Sequence, residues 1–259
     1  MTVQDGVAVV TLASPSNRNA LSGALLASLH GALDTAESAS ARVIVLTHVP
    51  PVFCAGADLK ERAAGPVDSR PMTDAMERLM ATPRPVIAAI TGPVRAGGIG
   101  LMAACDLAVV AASVDFAFTE VRLGLTPAII SVPILRRVQP SVLAAPYLTG
   151  ERFSAAAARE MGLVTHVGAD ADEVWTIVSC LVNGILASEP VAVAATKSLL
   201  WTLQDVPRDE RMENARGLSD RFFRSIHGAE GMAAFAEKRP PSWAAARPWE
   251  PPSREATPD

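Results

Sequence analysis

Val86-Ile-Ala-Ala-Ile-Thr-Gly-Pro-Val-Arg-Ala-Gly-Gly-Ile-Gly-Leu-Met-Ala-Ala-Cys-Asp106 is the stretch whose reading decides the fold. Its first five residues are all apolar, with no alternation. A run that short and that uniform reads as a strand covered on both faces, as in parallel sheets. Thr91–Gly98 is a glycine-bearing turn, and Ile99–Cys105 suits a short helix. A glycine-rich turn at a helix N-terminus gathers unpaired N–H groups at the positive end of the dipole, which suits an oxyanion or a phosphate. Gly97, Gly98 and Gly100 do not fit the dinucleotide fingerprint G-x-G-x-x-G, and no Walker lysine is present. Close helix–sheet packing is the competing explanation for the glycines.

Working outward, the same strand-then-helix alternation recurs. Val7–Leu12 and the β-branched run Val43–Thr47 read as strands. Between them Ser22 is a plausible N-cap for a helix to about Ala36, with Leu25, Leu26, Leu29 and Leu33 on one stripe. Met72–Ala81 has helical period, and Leu107–Ala111 and Asp115–Phe118 resume strand character. This alternation predicts an α/β fold with mostly parallel strands. Beyond it the pattern turns helical. Ser154 caps a segment to Met161, stopped by Gly162. Val174, Ile177, Val178, Leu181, Val182 and Ile185 repeat at helical spacing, and Pro190–Leu203 and Asp209–Ile226 read as helices. The expected organisation is an α/β core over 1–190, a helical region over 191–243 and a flexible proline-rich tail over 244–259, which holds Pro248, Pro251, Pro252 and Pro258.

Composition excludes several classes. The chain of 259 residues is 49% hydrophobic and 19% charged, too apolar for disorder as a whole. A net charge of −4 argues against general nucleic-acid binding. Cys54, Cys105 and Cys180 are far apart, as are His30, His48, His166 and His227, so neither a disulfide framework nor a metal site is supported. No basic segment followed by an apolar run opens the chain, and the long apolar region Val86–Phe118 is broken by Pro93, Arg95 and Asp106. The expectation is a cytoplasmic protein without membrane insertion.

Two further segments carry chemistry. Phe53-Cys-Ala-Gly-Ala-Asp-Leu-Lys60 follows the Val43–Thr47 strand, and its small residues let a ligand approach the backbone. An ordinary connection in which Asp58 caps a helix explains it equally well. Phe118-Thr-Glu-Val-Arg-Leu-Gly-Leu-Thr-Pro127 sets Glu120 between a strand and a Gly/Pro turn, where a solvated surface glutamate is the competing explanation.

Together these segments resemble the crotonase (enoyl-CoA hydratase/isomerase) superfamily. Asn19-Ala-Leu21, Leu148-Thr-Gly150, Ala157–Val164, Ala195-Thr-Lys-Ser-Leu-Leu200 and Phe235-Ala-Glu-Lys-Arg239 fit the same family, so the resemblance covers roughly residues 3–243. It implies a ββα spiral core that binds an acyl-CoA thioester, with a C-terminal helical region that makes trimers or dimers of trimers. It implies that the N–H groups of Ala57 and Gly97 polarise the thioester carbonyl and that Glu120 is the acid/base. Ala55, Asp58, Leu59, Gly98 and Gly100 are placed around the substrate, and Arg18 and Lys60 near the CoA phosphates, with Lys238 and Arg239 as further candidates. No cofactor is implied, because CoA enters as part of the substrate.

The chain departs from the family's pattern at two places. Hydratases of this family usually carry a second glutamate where this chain has Gly100, and the glycine is expected to leave room for a water. The pattern resembles the branch acting on branched or carboxylated enoyl-CoAs, such as methylglutaconyl-type hydratases. Arg95 stands where an apolar residue is usual; it either pairs with a surface acid or receives a substrate carboxylate, and Arg122 is a weaker candidate for that role. The activity implied is hydration of the 2,3 double bond. A Δ3,Δ2-enoyl-CoA isomerase and a thioester-binding protein with vestigial activity are the alternatives.

Overall fold

The computed structural model describes residues 1–65, 68–245 and 247–252. The main sheet has the strand order β1-β2-β3-β4-β6-β9, from Thr2–Gln4, Val7–Leu12, Val43–His48, Val86–Ile90, Leu107–Ala111 and His166–Gly168. Every pairing after the antiparallel β1–β2 is parallel. β4 is buried along its whole length, as its unbroken apolar run requires. A second, smaller sheet joins β5 (Val94–Arg95), β7 (Asp115–Ala117) and β8 (Arg152–Ser154).

The helices follow from local signals. α1 (Gly23–Ser38) starts where the Ser22 side chain accepts from the Leu25 N–H, and buries Leu25, Leu26, Leu29 and Leu33. α2 (Leu59–Ala63) and α3 (Arg70–Ala81) lead to β4, and α4 (Gly97–Ala103) leads to β6. α5 (Ala128–Leu135) and α6 (Pro140–Thr149) precede β8, and α7 (Ala155–Glu160) starts on the Ser154 cap. α8 (Ala171–Leu186) lays Val174, Val178, Val182 and Leu186, every fourth residue, on the main sheet. α9 (Pro190–Thr202), α10 (Arg211–Phe223) and α11 (Ile226–Glu237) form the helical end. No single helix among the described residues is long and apolar enough to cross a membrane.

Three sequence expectations need correction. The helix after the glycine turn begins at Gly97, not Ile99, because Ala96 takes up φ 46°, ψ −119° and ends the preceding strand. The helix expected over Asp209–Ile226 runs Arg211–Phe223 and stops short, because Ser225 leaves the helix and its hydroxyl caps the Gly228 N–H at 2.9 Å to start α11. The tail is not loose where it is described. Trp249 is 2% exposed and exchanges two hydrogen bonds with the Asn183 side chain, at 2.7 and 3.1 Å, on α8. Residues 253–259, including Pro258, lie outside the described residues.

One buried ion pair ties the helical end to the core. Lys197 Nζ on α9 lies 2.8 Å from Asp106 Oδ2 and donates to the carbonyls of Leu79 and Arg84, both at 2.9 Å. Asp106 also accepts from Val86 N at 2.7 Å and Trp201 Nε1 at 2.8 Å. Burial pulls the Lys197 ammonium below its ordinary pKa, and Asp106 opposes that. Removing one partner strands the other charge inside, which costs about 3–5 kcal/mol in comparable sites. Lys197→Met is therefore expected to lose about that much in urea unfolding. A loss below about 1 kcal/mol, the size seen for exposed pairs, would contradict this role.

Candidate active site

Two loops are stitched together by backbone. Phe53 N donates to Pro93 O at 3.1 Å, Arg95 N donates to Cys54 O at 2.9 Å, and Cys54 bridges Val94 as in a parallel ladder. The first loop is held from its other side, where Ala55 N donates to Arg18 O at 3.2 Å and Leu21 N to Gly56 O at 2.8 Å. Arg18 and Asn19 both have left-handed backbone, with φ of 58° and 53°. The Asn19 side chain fixes that turn by donating to the carbonyls of Val49 and Val52, at 3.2 and 2.8 Å, and accepting from Ser14 N at 2.7 Å.

Gly56 is required. Its φ is +95°, and a Cβ there would lie 3.0 Å from the Ala96 Cβ of the second loop. Ala96 in turn donates its N–H to Ala117 O on β7 at 3.0 Å. This backbone course leaves the N–H groups of Ala57 and Gly97 without an acceptor among the described hydrogen bonds. Gly97 is the first residue of α4, where no intrahelical acceptor exists. Cys54, under the loop, is no nucleophile: burial pushes its thiol up to about 12.

Glu120 begins a single helical turn, Glu120–Leu123, directly beyond β7 and Thr119. Leu125 N closes the turn on Glu120 O at 3.0 Å, with Gly124 at φ +70°. Arg122 Nε anchors it by donating to Thr149 O at the end of α6, at 2.8 Å. Glu120 Oε2 is buried and has no hydrogen-bond partner among the described residues. Burial raises its carboxyl above the ordinary carboxylate range, with its own N–H opposing. A pair of open N–H donors with one desolvated carboxyl is equipment for stabilising an oxyanion and moving a proton.

Comparison with known proteins gives the family. The sequence model for "Enoyl-CoA hydratase/isomerase" matches residues 2–246. The chain belongs to the enoyl-CoA hydratase/isomerase (crotonase) family. It is 32% identical over 245 residues to the enoyl-CoA hydratase EchA19 of Mycobacterium tuberculosis, covering 91% of this chain and 92% of that protein. The crystal structure of an enoyl-CoA hydratase from Mycobacterium smegmatis matches with a TM-score of 0.86 and 34% identity, over 93% of this chain and 96% of that one. Another, from Mycobacterium avium, has a TM-score of 0.69 and 42% identity, over 92% and 94%.

Against the family's two-carboxylate pattern, the Gly100 position corrects an expectation. No space for a water stands open there. A Cβ on Gly100 would meet Ile130 Cγ2 at 2.5 Å, Ile130 Cβ at 2.7 Å and Met76 Cε at 2.8 Å, so α5 and α3 fill the volume of the absent side chain. Gly98 is needed for packing too, since its Cβ would lie 2.6 Å from Cys54 Cβ.

The remaining candidates divide. Asp58 is the helix cap: Oδ1 accepts from the N–H groups of Lys60 and Glu61, at 3.0 and 3.2 Å, and Oδ2 from Asn17 Nδ2 at 3.0 Å. The Asn17 bond is the largest influence holding its carboxyl below the ordinary range. Arg95 pairs with an acid of this chain, donating to Asp115 Oδ2 and to the Asp115 carbonyl, both at 2.7 Å. Arg152 also reaches Asp115 Oδ2, at 3.5 Å. Arg122 is drawn away to Thr149. Ala55 is half-buried beside Gly56; Arg18, Leu59 and Lys60 are exposed at the rim, and neither cation is in a salt bridge among the described residues. Arg239 is taken up by Glu230 and Glu237, at 2.8 and 2.6 Å. Ile130 and Tyr147 were not flagged by the sequence, because α5 and α6 are apolar without helical period and carry Pro133 and Pro146 inside them.

The Gly100–Ile130 packing is testable by size exchange. Gly100→Ala alone is expected to destabilise by about 1–3 kcal/mol through overpacking. With Ile130→Ala in the same chain, denaturant unfolding should show a double variant more stable than the sum of the two single losses. Additive losses would show that the two side chains do not compete for one space.

Proposed function

We propose that the protein is an enoyl-CoA hydratase that uses Glu120 as its single acid/base. The observation that carries this reading is the unpartnered, desolvated Glu120 carboxyl, held on the strand–turn that also receives the Ala96 N–H. The thioester carbonyl would accept from Ala57 N–H and Gly97 N–H. As water attacks C3, electrons move from the double bond towards C2 and the carbonyl oxygen, and the two donors stabilise the enolate. One such donor is worth about 3–4 kcal/mol in related chemistry. Glu120 takes the proton from the attacking water and returns a proton to C2, so that H and OH have been added and the carboxylate is regenerated.

A carboxylated chain finds less support, since Arg95 already holds Asp115. CoA arrives as part of the substrate, with Arg18 and Lys60 at the rim as phosphate contacts, and we infer no resident cofactor. The exposed apolar side chains of Phe223, Ile226 and Phe235 on α10 and α11, at 69%, 81% and 89%, support the reading of this end as a subunit contact.

A second reading, the Δ3,Δ2-enoyl-CoA isomerase, is favoured by one observation. Ile130 and Met76 occupy the space where another acid or a water would act. One carboxylate shuttling a proton between C4 and C2 needs neither.

Turnover of a panel of 2-enoyl and 3-enoyl thioesters, followed by mass and by enoyl absorbance, separates these. The hydratase reading expects a mass gain of one water on 2-enoyl substrates. It also expects a fall of about 10²–10⁴-fold in Glu120→Gln, and an acid limb of kcat/KM above the ordinary glutamate value of about 4.3. Gain of enoyl absorbance from 3-enoyl thioesters without water addition would establish the isomerase instead. No turnover on either class, unchanged by Glu120→Gln, would leave a binding protein.

A further inference from the structure

The Gly100 packing leaves no room for a second carboxylate at that position, and a proton-bearing group lies on the helix packed against the Glu120 turn. Tyr147 is on α6, which packs against the Glu120 turn and the segment that leads into it. The Tyr147 ring meets Phe118 edge-on at 4.4 Å. Arg122 of the turn donates to Thr149 O. The Phe118 carbonyl sits 3.0 Å from where a Gly150 Cβ would be. Phe118 is two residues before Glu120, so this contact is made on the segment that leads into the Glu120 turn.

The hydroxyl of Tyr147 has an identifiable donor role. It lies 3.3 Å from Ser131 Oγ. Ser131 has one hydroxyl proton, and that proton is spent on Pro127 O at 2.7 Å. Tyr147 is therefore the donor in a long bond to a neutral oxygen, which a charged acceptor outcompetes. Glu120 Oε2, buried and unpartnered, is such an acceptor once ionised. The two groups already sense each other: burial is the main cause that raises the Tyr147 phenol, and the Glu120 charge raises it further.

We propose that Tyr147 is the positioning residue of the site, its hydroxyl turning from Ser131 to the ionised Glu120 carboxylate and so holding the base in place in the absence of a second acid. This rests on Glu120 being the acid/base. The charged and titratable groups around it are accounted for. Arg122, on the same turn, is drawn off to Thr149, and burial is the main cause of the Glu120 shift, opposed by its own backbone N–H.

The test reads the carboxyl directly. In unliganded protein with carbonyl-¹³C glutamate, the Glu120 resonance is assigned by its loss in Glu120→Gln and titrated by NMR. Tyr147→Phe keeps the ring contact and removes the donor. Its Glu120 midpoint is expected to move up by about half a pH unit or more, and its kcat on the enoyl substrate to fall several-fold with KM little changed. Incorporation of 3-fluorotyrosine at 147, with a more acidic and stronger-donating hydroxyl, should move the midpoint down, which keeps the test open if Tyr147→Phe fails to fold. A midpoint that stays put or moves the other way in the folded variants overturns the proposal. Absence of enoyl turnover in the parent protein would overturn the hydratase reading while the titration still decides the contact.

Discussion

Everything at this site depends on two residues of one loop lying against three of another. Phe53 and Cys54 pair with Pro93–Arg95 as short parallel strands. That pairing leaves Gly56 touching Ala96 and Gly98 packed on Cys54, with no room for larger side chains. The glycines are therefore needed twice, once for backbone course and once for proximity. The chain emerges from each loop with an N–H that the fold does not satisfy. In the function proposed above, these two N–H groups are open to a ligand oxygen. That proposal rests on backbone atoms positioned by packing, so the small residues matter in it as much as the glutamate.

Glu120 is the second local violation. The turn that carries it is fastened by Leu125 N, Arg122 and the Phe118–Tyr147 contact, while its outer oxygen is given nothing. A protein built only for stability would pair that oxygen or put it in water. Leaving it dry raises its pKa and makes it a stronger base when it ionises. The buried carboxylate of Asp106 is met instead, by Lys197, Trp201 and the Val86 N–H. Asp106 is a structural carboxylate, and Glu120 is the one proposed to react.

What could be read from the sequence was what is written locally. The unbroken runs at Val43–Thr47 and Val86–Ile90, the caps at Ser22 and Ser154, the glycine turn and the Glu120 turn each carry their own short-range signal. What could not be read was set by residues far apart in the chain. Ile130 enters the space at Gly100 from thirty residues away, on a helix whose apolar residues have no period. Asp115 meets Arg95 only because β5 and β7 are neighbours in the small sheet. Trp249 docks on Asn183 across most of the helical end. Family resemblance pointed to Ala57, Gly97 and Glu120 as candidates, but the filling of the Gly100 space needed coordinates.

The central claim is that Ala57 N–H and Gly97 N–H together polarise a thioester carbonyl. The most direct test is the carbonyl stretch of a ¹³C=O-labelled saturated acyl-CoA bound to the protein, by isotope-edited infrared difference. Two converging donors predict a band at lower frequency than the same thioester shows in water. A band at or above the aqueous frequency would contradict the account, whatever the activity of the protein.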